Sequence, residues 1–272
     1  MQATYISLSE SQVGLAALLI VINAAISLGL RLGLERALVW ASVRTVGQLL
    51  LLGLILKWIF ELSHWYAVGG IMVVMTVVAG VTAVQRVSRR YSGIWFDTIL
   101  SIFASSWLIT AFALHGVLQS VEPWYHPQYA IPLLGMILGN TLNGISLGLE
   151  TFISTLSVQR DRVEMMLTLG GTRWEAARES VRQALRTGMV PILNSMTVVG
   201  IVSLPGMMTG QLLAGTEPGQ AVKYQIVIMF LICSATALGT LGVVLGGYRR
   251  LFNGRHQFCH WQIVPSSPAK EK

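Results

Sequence analysis

Long stretches without a formal charge are the feature that most constrains how this chain can fold. Six stretches of 20 to 30 residues contain no Asp, Glu, Lys or Arg, and these are 11–30, 62–85, 98–121, 123–149, 187–216 and 224–248. A helix needs about 20 predominantly apolar residues to cross the hydrocarbon core of a bilayer. Each stretch is therefore long enough to form a transmembrane helix.

The composition excludes a water-soluble domain. Only 11% of the residues are charged and 53% are hydrophobic, and the mean hydropathy is +0.63. A soluble domain ionises about a quarter of its residues, so these few charges cannot cover a globule in water. The net charge of +7 does not indicate nucleic-acid binding, because the basic residues lie beside the apolar stretches.

A seventh span is predicted between Ala37 and Leu56, where only Arg44 interrupts the apolar run. Arg44 could snorkel from within this span or belong to an amphipathic lead-in helix. The sequence therefore predicts an all-α, polytopic membrane protein, with residues 1–272 in a single transmembrane domain of about seven helices. The predicted spans lie near residues 11–30, 38–60, 65–85, 98–118, 131–152, 189–205 and 224–247.

The distribution of basic residues predicts the orientation of the chain. Seventeen Lys and Arg residues fall on one side of the predicted spans, and only Lys57 and Lys223 fall on the other. Because loops rich in Lys and Arg stay in the cytoplasm, we expect the amino terminus outside and the carboxyl terminus in the cytoplasm. The longest cytoplasmic segment is then 154–187.

This cytoplasmic segment has the pattern of two short amphipathic helices, since apolar residues recur at three- and four-residue intervals between charged ones. Gly170 and Gly171 are expected to end the first helix, and Thr172 with Glu175 forms a capping box for the second. Two interpretations stay open. The helix pair could lie on the membrane surface through its arginines, or it could dock a soluble partner, because Trp174 and Met165–Met166 are costly to expose near a polar corner.

The sequence predicts no cofactor bound by this chain. None of its four lysines follows a glycine, so the phosphate-binding GxxxxGK[ST] pattern is absent. Neither the five histidines nor Cys233 and Cys259 have the spacing of a metal site. The central thirds of the spans carry no Asp, Glu, Lys or Arg, whereas a proton relay usually needs an ionisable group at that depth. If transport is active, ATP must bind a different polypeptide.

The predicted fifth span carries polar side chains on one stripe, formed by Asn140, Asn143 and Glu150 at helical spacing. The asparagines could form interhelical hydrogen bonds or line a hydrated substrate path, and Glu150 could simply be solvated at the interface. Two GxxxG patterns, Gly135–Gly139 and Gly144–Gly148, predict close approach of neighbouring helices.

The predicted sixth span combines proline with polarisable side chains. Pro191 suits a first helical turn, whereas Pro205–Gly206 is expected to break the helix. Met207, Met208 and Gln211 follow, and thioethers favour soft ions such as Cu(I) more than Fe(II). A packed hinge is the alternative to a pair of ligands. The candidate path residues are Asn140, Asn143, Glu150, Asn194, Pro205, Met207, Met208 and Gln211.

Four segments resemble the permease subunit of the FetB-type iron exporters, a bacterial family with plant relatives linked to aluminium tolerance. They are VGIVSLPGMMTGQLLAGTEPGQAVKYQIVIMF at 199–230, IPLLGMILGN at 131–140, LTLGGTRWEAA at 167–177 and YRRLFNGRHQ at 248–257. The resemblance implies an ABC transporter of the bacterial inner membrane, with a pair of permeases and a separate cytoplasmic ATPase that binds ATP and Mg. It further implies iron export and relief of peroxide stress.

A permease without its own ATP site needs a coupling element on its inner face, and the cytoplasmic segment is the natural candidate. The expected coupling residues are Arg160, Glu164, Gly170, Gly171, Thr172, Arg173, Trp174 and Glu175. The alternatives are an ABC permease for a different metal or small solute, and a seven-helix receptor or signalling scaffold. An enzyme is not expected, because no set of nucleophile and base gathers at one depth.

Overall fold

The structure is a computed structural model that describes residues 9–62, 64–118, 123 and 125–266. These residues form nine α-helices and a short antiparallel pair of strands. The helices are α1 Glu10–Gly29, α2 Glu35–Leu62, α3 Trp65–Gln85, α4 Ile94–Phe112, α5 Pro127–Val158, α6 Arg160–Thr168, α7 Arg173–Val198, α8 Gly206–Leu213 and α9 Pro218–Leu251. The strands are β1 Arg89–Arg90 and β2 Val264–Pro265.

Six of the described helices, α1 to α5 and α9, are long and apolar enough to cross a membrane. They correspond to six of the seven predicted spans and confirm an all-α, polytopic membrane protein. Several of them extend beyond the predicted ends, and α5 covers Pro127–Val158 where 131–152 was predicted. The extension arises because backbone hydrogen bonding, and not the edge of an apolar run, decides where a helix stops.

Residues 189–205, the predicted sixth span, do not form a helix of their own. Instead, α7 runs without interruption from Arg173 to Val198 and includes Pro191 in its interior, not in a first turn. The helical pattern of the cytoplasmic segment continues into the apolar run, and one proline removes only one ladder hydrogen bond. The chain leaves the helical conformation at Val199–Pro205, which we call the broken segment, so that Pro205 caps the start of α8 and does not end a helix.

Helices α7 and α9 run antiparallel along the bundle. At the start of α7, the backbone N–H of Arg173 donates to Nδ1 of His256, just beyond the end of α9, at 2.9 Å. At the other end, Met196 and Val199 share a cavity with Gln225, from the first turns of α9. In place of a seventh uninterrupted helix, the chain thus forms α7, the broken segment and α8.

Glycines bring α5, α7 and α9 into close contact. A Cβ on Gly188 of α7 would lie 2.7 Å from the carbonyl oxygen of Gly144 of α5. A Cβ on Gly239 of α9 would lie 2.8 Å from Cγ2 of Thr141 of α5. The predicted Gly144–Gly148 pattern therefore lies in a tight interface, whereas a Cβ on Gly139 would meet nothing within 4 Å.

Helices α1 and α2 form a peripheral hairpin. Only 6% of the apolar window of α1 and 0% of that of α2 are buried within the described chain. Arg44 lies inside the continuous helix α2, so there is no separate lead-in helix before the second span. The exposed apolar surface of this hairpin is of the kind that lipid or another membrane chain covers.

Several loops that carry arginine meet at one end of the bundle, which we call the basic end. Here β1, between α3 and α4, pairs with β2 of the carboxyl-terminal tail. The Arg250 guanidinium donates to both carboxylate oxygens of Asp97, at 2.6 and 2.9 Å. Residues 1–8, Lys270 and Lys272, which entered the orientation prediction, lie outside the described residues. That the basic end faces the cytoplasm stays a prediction.

Replacing Gly144 with Ala should lower the stability of the helix bundle by about 1–3 kcal/mol, the usual cost of overpacking. The new methyl group would overlap Cγ2 of Thr236 of α9 and would lie 2.8 Å from the carbonyl oxygen of Gly188 of α7. The measurement is thermal unfolding in detergent, with Gly139→Ala on the same helix as the matched control. Equal melting temperatures for the two variants would contradict the close approach of α5 and α7.

Candidate functional site

The turn between α6 and α7 reverses the chain at the basic end. The N–H of Gly171 donates to the carbonyl of Met166 at 2.9 Å, and that of Gly170 donates to the carbonyl of Leu167 at 3.2 Å. Gly170 has a φ of +89°, which side-chain-bearing residues rarely adopt. A Cβ on Gly171 would lie 2.8 Å from the Met166 carbonyl oxygen. The two glycines thus end α6 as predicted. Gly170 is suited by its positive φ, and Gly171 by the lack of room for a Cβ.

The start of α7 has the predicted capping box between Thr172 and Glu175. The N–H and the hydroxyl of Thr172 donate to Oε2 of Glu175 at 2.7 and 2.8 Å, and the Thr172 oxygen accepts from the Glu175 N–H at 3.3 Å. These hydrogen bonds, the backbone one foremost, lower the pKa of Glu175. The carboxylate therefore stabilises the helix start at neutral pH, and this contribution disappears as the pH falls through the lowered pKa.

The last turn of α9 and the carboxyl-terminal tail anchor this helix pair. Besides the bond from Arg173 to His256, the Trp174 ring contacts the Tyr248 ring edge-on at a centroid distance of 5.6 Å. On α6, Oε1 of Glu164 lies 3.5 Å from Nδ1 of His260. Sequence reasoning missed these tail residues as partners of the helix pair. The YRRLFNGRHQ segment was noticed only for its resemblance, and nothing local indicates its contacts.

Apolar side chains stand exposed around the turn. Leu169 is 80% exposed, Met165 is 56% exposed and Trp174 is 44% exposed. Met166, expected to share this exposure, is partly buried against the core instead. The sequence analysis did not single out Leu169. The available signal was its position directly before the glycine pair that ends the helix. We call Met165, Leu169 and Trp174 the apolar corner.

Of the other coupling candidates, Arg160 and Glu164 form an ion pair one helical turn apart, with Nε and Oε1 at 2.8 Å. Both side chains are largely solvent-exposed, and such pairs contribute at most about 1 kcal/mol. The structure thus brings all eight predicted coupling residues to one end of the bundle. That these residues couple the chain to an ATPase stays a prediction.

The polar stripe on α5 faces away from the bundle core, but two of its members are already bonded. Oδ1 of Asn143 accepts from the Arg86 guanidinium at 2.7 Å. The Glu150 carboxylate accepts from the backbone N–H and the hydroxyl of Ser88, at 2.7 and 2.5 Å. Asn140 donates to the Met136 carbonyl of its own helix at 2.9 Å and remains exposed. The stripe therefore holds the end of α3 and the α3–α4 loop against α5.

The remaining path candidates lie around α8. Met207 and Gln211, one helical turn apart, line a cavity of about 430 Å³ together with Met136 of α5. Met208 lines a different cavity, of about 570 Å³, between α7, α8 and α9. Asn194 is exposed on α7. The predicted methionine pair is thus divided between two cavities, because adjacent residues of a helix point to different sides.

A hard-ligand metal site is not evident in the part of the chain that the structure describes. Within those residues, no three His, Cys, Asp or Glu side chains lie close enough together to hold a metal ion. The cavities around α8 are instead lined by residues with amide, hydroxyl and thioether groups.

Fold and composition together define an integral membrane protein with several spanning helices. Residues 10–252 match the family described as "Uncharacterised protein family (UPF0014)", and the chain belongs to this family.

Three relatives illustrate its range. A Synechocystis membrane protein of the same family is 41% identical, over 83% of this chain and 87% of its own length. The Escherichia coli "Probable iron export permease protein FetB" is 28% identical, over 94% and 97% respectively. The Arabidopsis "Protein ALUMINUM SENSITIVE 3" is 35% identical, over 83% and 81%. No solved structure matches the chain.

Replacing Thr172 with Ala should weaken the first turn of α7 by about 1 kcal/mol, the usual cost of losing a helix cap. The backbone amides of that turn should then exchange hydrogen about fivefold faster, and the pKa of Glu175 should move up toward its ordinary value. Hydrogen exchange and an NMR titration of Glu175 measure these effects. Thr168→Ala, whose hydroxyl bonds only the Met165 carbonyl, is the control, and an equal effect there would contradict the capping role.

Proposed function

We propose that this chain is the permease subunit of an ABC transporter and that a separate cytoplasmic ATPase drives it, with ATP and Mg bound on that partner. The observation that carries the proposal is the continuity of α7. Its 26 residues extend about 39 Å at 1.5 Å per residue, from the apolar corner to the broken segment. A partner that displaces the corner therefore moves the other end of the same helix.

The apolar corner has the chemistry of a docking surface for the ATPase. Exposed Leu169 and Met165 lie beside the Arg160–Glu164 pair and Arg173, so a small apolar centre is surrounded by polar groups. Protein interfaces commonly combine an apolar centre with a polar rim. The Gly170 turn, the Thr172 cap and the contacts with the tail hold this surface in one conformation, which lets it transmit force.

A second copy of the chain is part of the proposal. Ile201 and Val202 of the broken segment are 88% and 81% exposed, in a stretch whose N–H groups form turn hydrogen bonds to Val198 and Ser203 and not a helical ladder. Irregular backbone does not face lipid, because hydrocarbon cannot satisfy its polar groups. Asn140 and Asn194 add exposed amides on the neighbouring helices. A homodimer buries these polar groups between two permeases, around a shared substrate path. It also keeps the irregular backbone of the broken segment away from lipid.

For the substrate we propose iron, exported across the bacterial inner membrane with protection against peroxide. The support is the similarity to the E. coli protein named as an iron export permease. The methionines around α8 favour a second candidate, another and softer metal ion. A receptor or signalling scaffold would respond to a ligand without net movement of solute, so flux separates it from both.

Replacing Leu169 with Glu should abolish most stimulation of the partner ATPase, because a charge at the centre of the apolar corner opposes docking. The measurement is ATP hydrolysis by the purified complex in nanodiscs, together with co-purification of the ATPase. Leu213→Glu is the matched control, since Leu213 is 64% exposed at the end of α8 and away from the corner. Normal stimulation in Leu169→Glu would remove the coupling assignment.

Cells that lack this protein should accumulate iron and survive peroxide less well, and the wild-type gene should restore both properties. Elemental analysis of washed cells and survival after a peroxide pulse are the measurements. Unchanged iron with raised copper would overturn the iron assignment and leave the permease assignment intact. Metal uptake into inverted vesicles that requires both the ATPase and ATP would exclude a receptor.

A further inference from the structure

We propose that the cavity between α7, α8 and α9 binds a soft monovalent cation through the thioethers of Met196, Met208 and Met229 and the amide oxygen of Gln225. As a station for the transported ion, this site rests on the proposed permease function with its second candidate substrate, the softer metal ion, and not with iron. As a binding site it is independent of that function, because binding requires neither the ATPase nor ATP.

Three helices supply the thioethers of this cavity. Met196 comes from the last turns of α7, Met208 from α8 and Met229 from α9, and all three line the same space of about 570 Å³. They account for three of the eleven methionines of the chain. Thioether sulfur is a neutral, polarisable ligand that selects soft ions such as Cu(I).

Gln225 supplies the polar group that points to a ligand. The residue is only 7% exposed, and its Oε1 has no hydrogen-bond partner within the described chain. Leaving a buried polar atom unsatisfied costs about 1–3 kcal/mol. Gln225 lines the cavity, so a rotation of its amide toward the three sulfurs would let this oxygen bind an ion there and would remove the penalty.

The charge of the cavity selects against a hard divalent ion. The residues described as lining it include no Asp, Glu, Lys, Arg or His. A divalent ion without its water would need anionic or strongly polar ligands to offset its desolvation. A monovalent, weakly hydrated ion loses less on entry, and neutral thioethers suffice to hold it.

The second cavity repeats this chemistry on the other side of α8. Met207 and Met136 line it with Gln211, whose Oε1 is likewise buried without a hydrogen-bond partner in the described residues. Helix α8 thus lies between two spaces that each combine thioethers with one unsatisfied amide oxygen. The first space also borders Val199 and Gly200, where α7 ends. Movement of α7 would therefore alter the first site directly.

The test uses the full chain, purified in nanodiscs without the ATPase, and Ag(I) as an air-stable probe for Cu(I). Equilibrium dialysis with elemental analysis gives the stoichiometry and the dissociation constant. We expect Ag(I) to bind and an excess of anaerobic Fe(II) to leave it in place. The variant Met196→Leu/Met208→Leu/Met229→Leu, which nearly conserves volume, should bind Ag(I) at least about tenfold more weakly.

Two controls locate the site. Met72→Leu removes a buried methionine of α3 that lines neither cavity, and it should leave binding unchanged. Met136→Leu/Met207→Leu removes the thioethers of the second cavity and should leave most of the affinity. Unchanged affinity in the triple variant, loss confined to the second-cavity variant, or displacement of Ag(I) by Fe(II) would each overturn the proposal.

A measurement on the unaltered protein keeps the proposal testable if the triple variant does not fold. X-ray absorption of the bound Cu(I) form should show sulfur neighbours with an added oxygen or nitrogen. A shell of oxygen and nitrogen alone would overturn the assignment. ATPase stimulation is measured separately, so a failure of the permease function is distinguishable from a failure of the ion site.

Discussion

Hydrocarbon offers no hydrogen-bond partner to a peptide group, and the rest of this structure follows from that constraint. It favours continuous helices in long apolar stretches, as in the 34 residues of α9. It also makes Val199–Pro205 exceptional, since irregular backbone at this position needs protein or water beside it. The most exposed apolar residues of the described chain, Ile201 and Val202, lie in this segment. The second copy of the chain that we propose would cover this segment.

Close packing holds the central helices of the bundle together. Gly144 and Gly188 let α5 and α7 approach until a backbone oxygen lies 2.7 Å from the position of a Cβ. Such an interface resists gradual deformation, so a displacement at one end of α7 is carried along the helix. The apolar corner lies at the start of α7, and the cavity lined by Met196 lies at its end.

The local parts of the candidate site could be predicted from the sequence, whereas its contacts could not. The Gly170 turn and the Thr172–Glu175 cap depend on residues within a few positions of one another, and the structure has both. The contact of His256 with Arg173 depends on where α9 ends relative to α7, which no local pattern reveals. The same holds for Met207 and Met208, which look like a ligand pair in the sequence and line different cavities.

The sequence by itself determined that this is a polytopic membrane protein, because repeated charge-free runs long enough to span a bilayer as helices are suited to lipid and not to water. It also determined the pattern of basic loops that meet at the basic end. Only the tertiary structure decided that 189–198 belongs to the same helix as Arg173, Trp174 and Glu175 and that the thioethers of α7, α8 and α9 share a cavity. Those facts depend on how distant helices approach one another, and side-chain spacing within one helix carries no information about its neighbours.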